Sequence, residues 1–418
     1  MPNVSRRGLI GGAIAVGALS AACDPAPTPN PGPSIVVSLP PFDPKDWASV
    51  RAQFAYDPAI ANMATFVFAS SPATVRAAIA RHQAQFDFNP IEYLHANEVR
   101  NNNAVKDAAA EYLGGTAHEV MLTDSTTMGL GLLYNGIRLS PGDEILTTEH
   151  DFYATYESLR WRTARDGATV RRVRLYEDPA KASVDEIVSN LAAAIRPNTK
   201  VIALTWVHSS TGVTLPVKEI TRMVAGRALV CLDSVHGFGA ELSNAADLGV
   251  DFLVSGTHKW LFGPRGTGLI WGKTVAWQQY LPVIPTFDFQ ARGNSASPGG
   301  YKSFEYQWSV AEAFAFHKSI GRDRITARIK ELAAKLKDGL AGIKGITLHT
   351  PRAAELSAGI ICCSVEGMQP TTAKNLLYTK GVLASVTPYN PAYLRFGTSM
   401  VNTEADVERT LKEVRALV

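Results

Sequence analysis

The sequence predicts an α/β protein: a large domain on a mostly parallel seven-stranded sheet, followed by a smaller C-terminal α+β domain. Two observations carry this. Seven short apolar runs, at residues 119–123, 144–148, 169–175, 200–205, 228–232, 251–255 and 267–271, alternate with stretches of helical periodicity. Such alternation describes strands buried on both faces and joined by crossover helices. Beyond residue 300 the pattern changes to a long helical stretch at 309–340, then strand signals at 345–348 and 358–365. A helix follows at 371–380, with further strands near Val382 and Leu394.

The elements have readable ends. Residues 97–113 carry apolar side chains at helical spacing and stop at Gly114-Gly115, a helix C-terminus signal. Thr403 and Asp406 form a capping box, and Val407, Leu411, Val414 and Val418 make one apolar stripe. The expected division is 1–34 as an export signal and spacer, 35–55 as a segment packing on the small domain, 56–300 as the large domain and 301–418 as the small one.

Composition excludes several classes of function. The 418-residue chain is 46% hydrophobic and 19% charged, with a net charge of +3, and it has no basic stripe for nucleic acid. Cys362 and Cys363 are adjacent and would point to opposite faces of a strand, unlike a redox pair. Cys231 sits in an apolar run and reads as core. No metal-ligand spacing occurs, so no metal is expected. At the N-terminus, Ser5-Arg6-Arg7 precedes an uncharged run at 9–22, shorter than the roughly 20 residues a spanning helix needs. This is the order of a twin-arginine export signal. Residues 19–23 resemble a lipobox ending at Cys23, and a proline-rich spacer follows. The expected location is the periplasm or the outer side of the cytoplasmic membrane, with a lipid anchor at Cys23 as the one membrane contact.

The chemistry gathers at strand ends. Open parallel sheets bind ligands outside the carboxyl ends of their strands. Ser125, Thr126 and Thr127 follow the first run, His150 the second, Ser209 the fourth, Asp233 the fifth and Lys259 the sixth. The hydroxyl run could simply cap a helix, and the same geometry offers free amides to a phosphate. Asp233 could be a turn residue, and Lys259, before a glycine-rich turn, could be an exposed lysine.

The string S-G-T-H-K-W-L-F-G-P-R-G-T-G around Lys259, with D-S-V-H-G upstream, resembles the class V aminotransferase family of fold-type-I pyridoxal 5'-phosphate (PLP) enzymes. That family includes cysteine desulfurases and isopenicillin N epimerase, and the resemblance runs from about residue 89 to the C-terminus. It implies a homodimer with the active site at the interface and Lys259 as the Schiff-base lysine. Asp233 becomes the partner of the pyridine nitrogen, His236 a contact to the phenolic oxygen, and His150 the ring stacked on the cofactor. Thr126, Thr127 and His258 fall at the phosphate, and Ser209 near the phenolic oxygen. Arg395, in R-F-G-T-S-M-V-N-T-E, is nominated for the substrate carboxylate.

There are departures from the family pattern. Trp308-Ser309 stands where many members carry a Gly-Thr pair reaching the partner's phosphate. Ser309 keeps the hydroxyl, and Trp308 is expected to alter the cleft. The serine usual before the lysine is replaced by Gly256, leaving Ser255 or Thr257 to compensate. The loop at 385–390 lacks the desulfurase cysteine, which disfavours sulfur relay. The expected function is aminotransferase-like chemistry at the α-carbon of an amino acid or peptide-linked amine. Export suggests a role in maturing a siderophore or other secreted peptide, since the chain resembles in signal and family the periplasmic PLP enzymes of pyoverdine maturation. Alternatives are an epimerase or C–S lyase on the same scaffold, and a non-catalytic binding protein.

Overall fold

The computed structural model describes residues 37–287 and 291–418. The twin arginines, the apolar run and Cys23 lie outside the described residues. The described chain begins with helix α1 (Trp47–Ala52) and a two-residue strand β1 (Ala61–Asn62), then two long helices, α2 (Ala73–Phe88) and α3 (Pro90–Leu113). Proline at the first position starts α3, and Gly114, at φ 77°, ends it.

The large sheet follows: β2 (Val120–Thr123), α4 (Thr126–Gly136), β3 (Glu144–Thr148), α5 (Tyr153–Asp166), β4 (Thr169–Val173), α6 (Val184–Ala194), β5 (Thr199–Thr205), α7 (Val217–Val224), β6 (Leu229–Asp233), α8 (Ala245–Leu248), β7 (Phe252–Gly256) and β8 (Gly268–Gly272). All seven apolar runs are strands, in the order β2-β8-β7-β6-β5-β3-β4. The five from β7 to β4 are parallel, whereas β8 runs antiparallel to both neighbours. Alternate residues feed two cores. Ile202, Leu204 and Leu253 join one, and Val201, Ala203, Phe252 and Val254 the other. Burying each such large side chain contributes about 1.5–3 kcal/mol.

The remaining elements are α9 (Phe304–Trp308), α10 (Val310–Ile320), α11 (Arg322–Ala341), β9 (Ile346–Leu348), β10 (Ile360–Val365), α12 (Pro370–Thr379), β11 (Val382–Leu383), β12 (Ser385–Val386), β13 (Leu394–Gly397) and α13 (Glu404–Arg415). The small sheet has the order β12-β13-β10-β9. In β10, Cys362 faces the large core and Cys363 the small one, as adjacent strand positions must. Thr403 and Asp406 form the expected capping box.

Four expectations need correction. The long stretch at 309–340 is two helices, broken at Gly321, whose φ of 97° is closed to most side chains. The apolar face of α10 packs with the large-domain core, through Val310, Phe314 and Phe316, so residue 301 is too early a boundary. Conversely β1, placed in the large domain, pairs with β11 of the small one. Val418 is 54% exposed and lies beyond α13, outside the buried stripe. Within the N-terminal segment, Arg51 ion-pairs with Asp406 at 2.7 Å, while Val50 enters the large core.

A close approach at Gly397 fixes a wall of the cleft described next. A Cβ there would lie 2.2 Å from the ring of buried Phe66. Gly397→Ala should destabilise the protein by about 1–3 kcal/mol through overpacking, read as a lower urea midpoint with an unchanged slope.

Candidate active site

The carboxyl ends of β2, β5, β6 and β7 open into a cavity of about 360 Å³, within the size range of cofactor sites. Ser125, Thr126, Thr127, Ser209, Asp233, His236, His258, Lys259 and Arg395 all line it. Helix α4 starts at one end. Ser125 caps it by accepting from the Met128 amide at 3.1 Å, and Thr126 Oγ1 accepts from the Gly256 amide at 2.7 Å. The amides of Thr126 and Thr127 are in the first turn and have no intrahelical acceptor, which makes an anion seat.

Asp233 ends β6 with 1% of its surface exposed. Its Oδ1 accepts from the Val235 amide at 3.0 Å, while Oδ2 is buried with no partner. Burial pushes its carboxyl up to about 6, against the pull of the Val235 amide and the nearby Lys259 charge, and Asp151 adds to the rise. Asp151 is itself buried, its Oδ2 accepting from Thr147 Oγ1 and from both the amide and the hydroxyl of Thr148, each at 2.7 Å. Burial brings Lys259 down to about 8, opposed by Asp233 and assisted by Arg395. An amine there is substantially neutral near pH 8 and can act as a nucleophile.

His236 is held well below the usual histidine range by burial, then by Lys259 and Arg395. Its Nδ1 accepts from Trp260 Nε1 at 3.2 Å, so the neutral ring carries its proton on Nε2. Arg395 donates from Nε to Ser385 Oγ at 3.0 Å and from Nη1 to the Ser209 carbonyl at 2.9 Å, leaving Nη2 for a ligand. Its guanidinium lies over the Phe66 ring at 4.9 Å.

Several sequence-predicted residues stand elsewhere. The His150 ring does not line the cavity. It stacks on Tyr176 at 4.0 Å and accepts from the Leu175 amide through Nε2 at 3.2 Å. Phe152 lines the wall instead, two residues further on. Thr257 is buried, with its hydroxyl bonded to Thr267, and Ser255 bonds the Gly256 carbonyl at 2.9 Å. Both brace the turn around Lys259 and neither lines the cleft. Ser309 is wholly buried and donates to the Glu305 carbonyl at 2.7 Å, so its hydroxyl is unavailable to a partner's phosphate. Trp308 does not line the cavity. It packs with Phe86, Tyr93 and Phe304 and donates to Asn102 Oδ1 at 3.0 Å.

Phe66, Thr205, Val235 and Pro388 also line the cavity without having been singled out. Val235 and Thr205 had a signal, since each adjoins or ends a strand whose terminus carries chemistry. Phe66 and Pro388 had none, because they arrive from distant parts of the chain.

This arrangement fits PLP. The α4 amides and His258 suit its phosphate, the orphan Asp233 Oδ2 its pyridine N–H, and His236 Nε2–H its phenolic oxygen. Lys259 suits its carbonyl, with Val235 and Phe152 offering apolar surface to the ring. The class V aminotransferase family profile matches residues 69–409. The chain belongs to this family of PLP-dependent enzymes. It is 25% identical over 397 residues to isopenicillin N epimerase of Streptomyces clavuligerus, covering 89% of this chain and 98% of that one. A probable cysteine desulfurase of Chlamydia trachomatis is 26% identical over 63% of this chain and 67% of its own length. Among solved structures, the cysteine desulfurase of Thermococcus onnurineus superposes with a TM-score of 0.80 at 17% identity, covering 89% of this chain and 98% of that chain. The fold is that of the fold-type-I PLP enzymes.

The Asp233 carboxylate favours the charged form of Lys259, so removing it should lower the lysine further. In Asp233→Asn, the pH midpoint for borohydride trapping of PLP on Lys259 should fall below that of the wild type measured alongside. An unchanged midpoint would show the two groups to be uncoupled.

Proposed function

We propose that this chain is an exported, aminotransferase-like PLP enzyme acting at the α-carbon of an amino acid or peptide-linked amine, in the maturation of a siderophore or other secreted peptide. The observation that carries the catalytic part is the buried, unpartnered Asp233 Oδ2 beside a lysine lowered to about 8. Bound PLP supplies an electron sink for charge developing at the α-carbon of the substrate amine. Asp233 then holds the proton of the pyridine nitrogen, and His236 Nε2 donates at the phenolic oxygen. Arg395 orients the substrate carboxylate through Nη2. Lys259, whose amine would hold the cofactor's carbonyl carbon, would carry the α-proton from its position beside the reacting carbon.

Export is supported by the order of arginine pair, uncharged run and proline-rich spacer. A twin-arginine route moves folded proteins and suits a cofactor loaded before export. We extend the proposal to a homodimer with the active site at the interface and, through Cys23, a lipid anchor.

Epimerisation is the second reading. Similarity to isopenicillin N epimerase extends over nearly the whole of both chains, and the 385–390 loop has no cysteine for sulfur relay.

Purified protein should be yellow, with a chromophore that borohydride quenches and that is absent from Lys259→Ala. A colourless protein that PLP cannot reconstitute rules the reading out. Arg395→Ala should raise KM for carboxylate-bearing amines roughly 10- to 100-fold, the worth of a hydrogen bond to a charged group, with a smaller effect on amines lacking a carboxylate. Equal effects on both classes would remove Arg395 from that role.

A further inference from the structure

The proton-exchanging groups that line the cleft all come from the large domain: Asp233, His236, His258 and Lys259. Arg395 and Pro388 represent the small domain, and a guanidinium keeps its protons in a protein. Beside Pro388 stands Tyr389, on the loop between β12 and β13. Its hydroxyl lies 2.7 Å from Ser209 Oγ, across the domain boundary. The loop is pinned, with the Thr387 amide donating to the Tyr393 carbonyl at 2.9 Å and the Tyr393 amide to Thr387 Oγ1 at 2.8 Å. The Tyr389 ring stands edge-on to Phe152 of the cleft wall, centroids 6.3 Å apart.

Ser209 is where these parts meet. Its hydroxyl pairs with Tyr389 and its carbonyl accepts from Arg395. A substrate carboxylate on Arg395 would therefore be held next to the serine whose hydroxyl pairs with the phenol. The neighbouring histidines are committed elsewhere. His150 Nε2 takes the Leu175 amide, and His208 Nδ1 lies 2.8 Å from the Tyr176 hydroxyl.

We propose that Tyr389 is a second catalytic residue, whose O–H, backed by Ser209, delivers a proton to the α-carbon from the small-domain side after Lys259 has taken the α-proton from the large-domain side. This rests on reading the cleft as a PLP site for carboxylate-bearing amines. The original C–H bond breaks with its proton passing to Lys259 Nζ and its electron pair staying with the substrate. The new C–H bond forms with that pair and the Tyr389 proton. Ser209 and solvent then reprotonate the phenolate, and Lys259 releases its proton to solvent. Nothing is oxidised or reduced, and the net result is inversion. Burial pushes Tyr389 up to about 12, moderated by Ser209 and Arg395, so the phenol holds its proton at neutral pH.

The test uses PLP-loaded wild type, Tyr389→Phe and Ser209→Ala with L-alanine and L-phenylalanine in D2O. Loss of the α-hydrogen is followed by NMR and the D-enantiomer by chiral chromatography. The ratio of D-product to α-exchange should fall at least ~100-fold in Tyr389→Phe with its colour kept, the usual worth of an acid catalyst, and less in Ser209→Ala. Wild type that exchanges without forming D-product overturns the proposal, as does a ratio in Tyr389→Phe within threefold of wild type. Loss of colour and exchange together in Tyr389→Phe also overturns it, by showing a structural role. Wild type with neither colour nor exchange instead refutes the PLP reading itself.

Discussion

Asp233 closes β6 with its carboxylate out of water, one oxygen on the Val235 amide and the other without a partner among the described residues. A buried acceptor without a donor costs about 1–3 kcal/mol, more when charged. The fold tolerates that cost at the mouth of a sheet whose central strands β5, β6 and β7 are almost wholly buried. Lys259 and Asp233 come from adjacent parallel strands, β6 and β7, so the sheet's own spacing brings ammonium and carboxylate into each other's field. A donor from a bound ring nitrogen would complete this group of charges. The other cleft residues are arranged around that need.

The second organising contact is at Ser209. A strand-end serine of the large domain receives both a guanidinium and a phenol from the small domain. Domain packing and the proposed substrate site therefore share one set of hydrogen bonds. Phe66, from the chain before α2, supports the guanidinium from its apolar side, and Gly397 makes room for it. A carboxylate site built this way depends on how three distant segments meet, and small changes in packing would retune it.

The departures from relatives acquire physical reasons. Trp308 replaces a glycine without touching the cleft, because α2, α3 and α9 enclose it with Phe86, Tyr93 and Phe304. Ser309 follows it into the interior. Thr257 and Ser255 serve the geometry of the turn that presents Lys259. On the 385–390 loop, a tyrosine hydroxyl stands near a cleft serine where desulfurases carry a thiol.

The sequence by itself determined the seven strands, the capping of α13, the family, and the residues at strand ends. Each of these is local: periodicity sets the strand, and a chain leaving a parallel strand must pass the ligand-binding edge. Asp233, Lys259 and the Ser125–Thr127 turn were legible for that reason, and His236 through the family resemblance. Only the tertiary structure decided the reversed direction of β8, the break at Gly321 and the domain to which β1 and α10 belong. It also decided that His150 stacks on Tyr176 while Phe152 faces the cleft, and that Ser309 is buried. These outcomes depend on which side chain fills which space between elements far apart in sequence, and packing of that kind leaves no periodic trace. Lys259 was visible as a motif, but its lowered proton affinity comes from burial and from Asp233 and Arg395, which only the folded chain brings together.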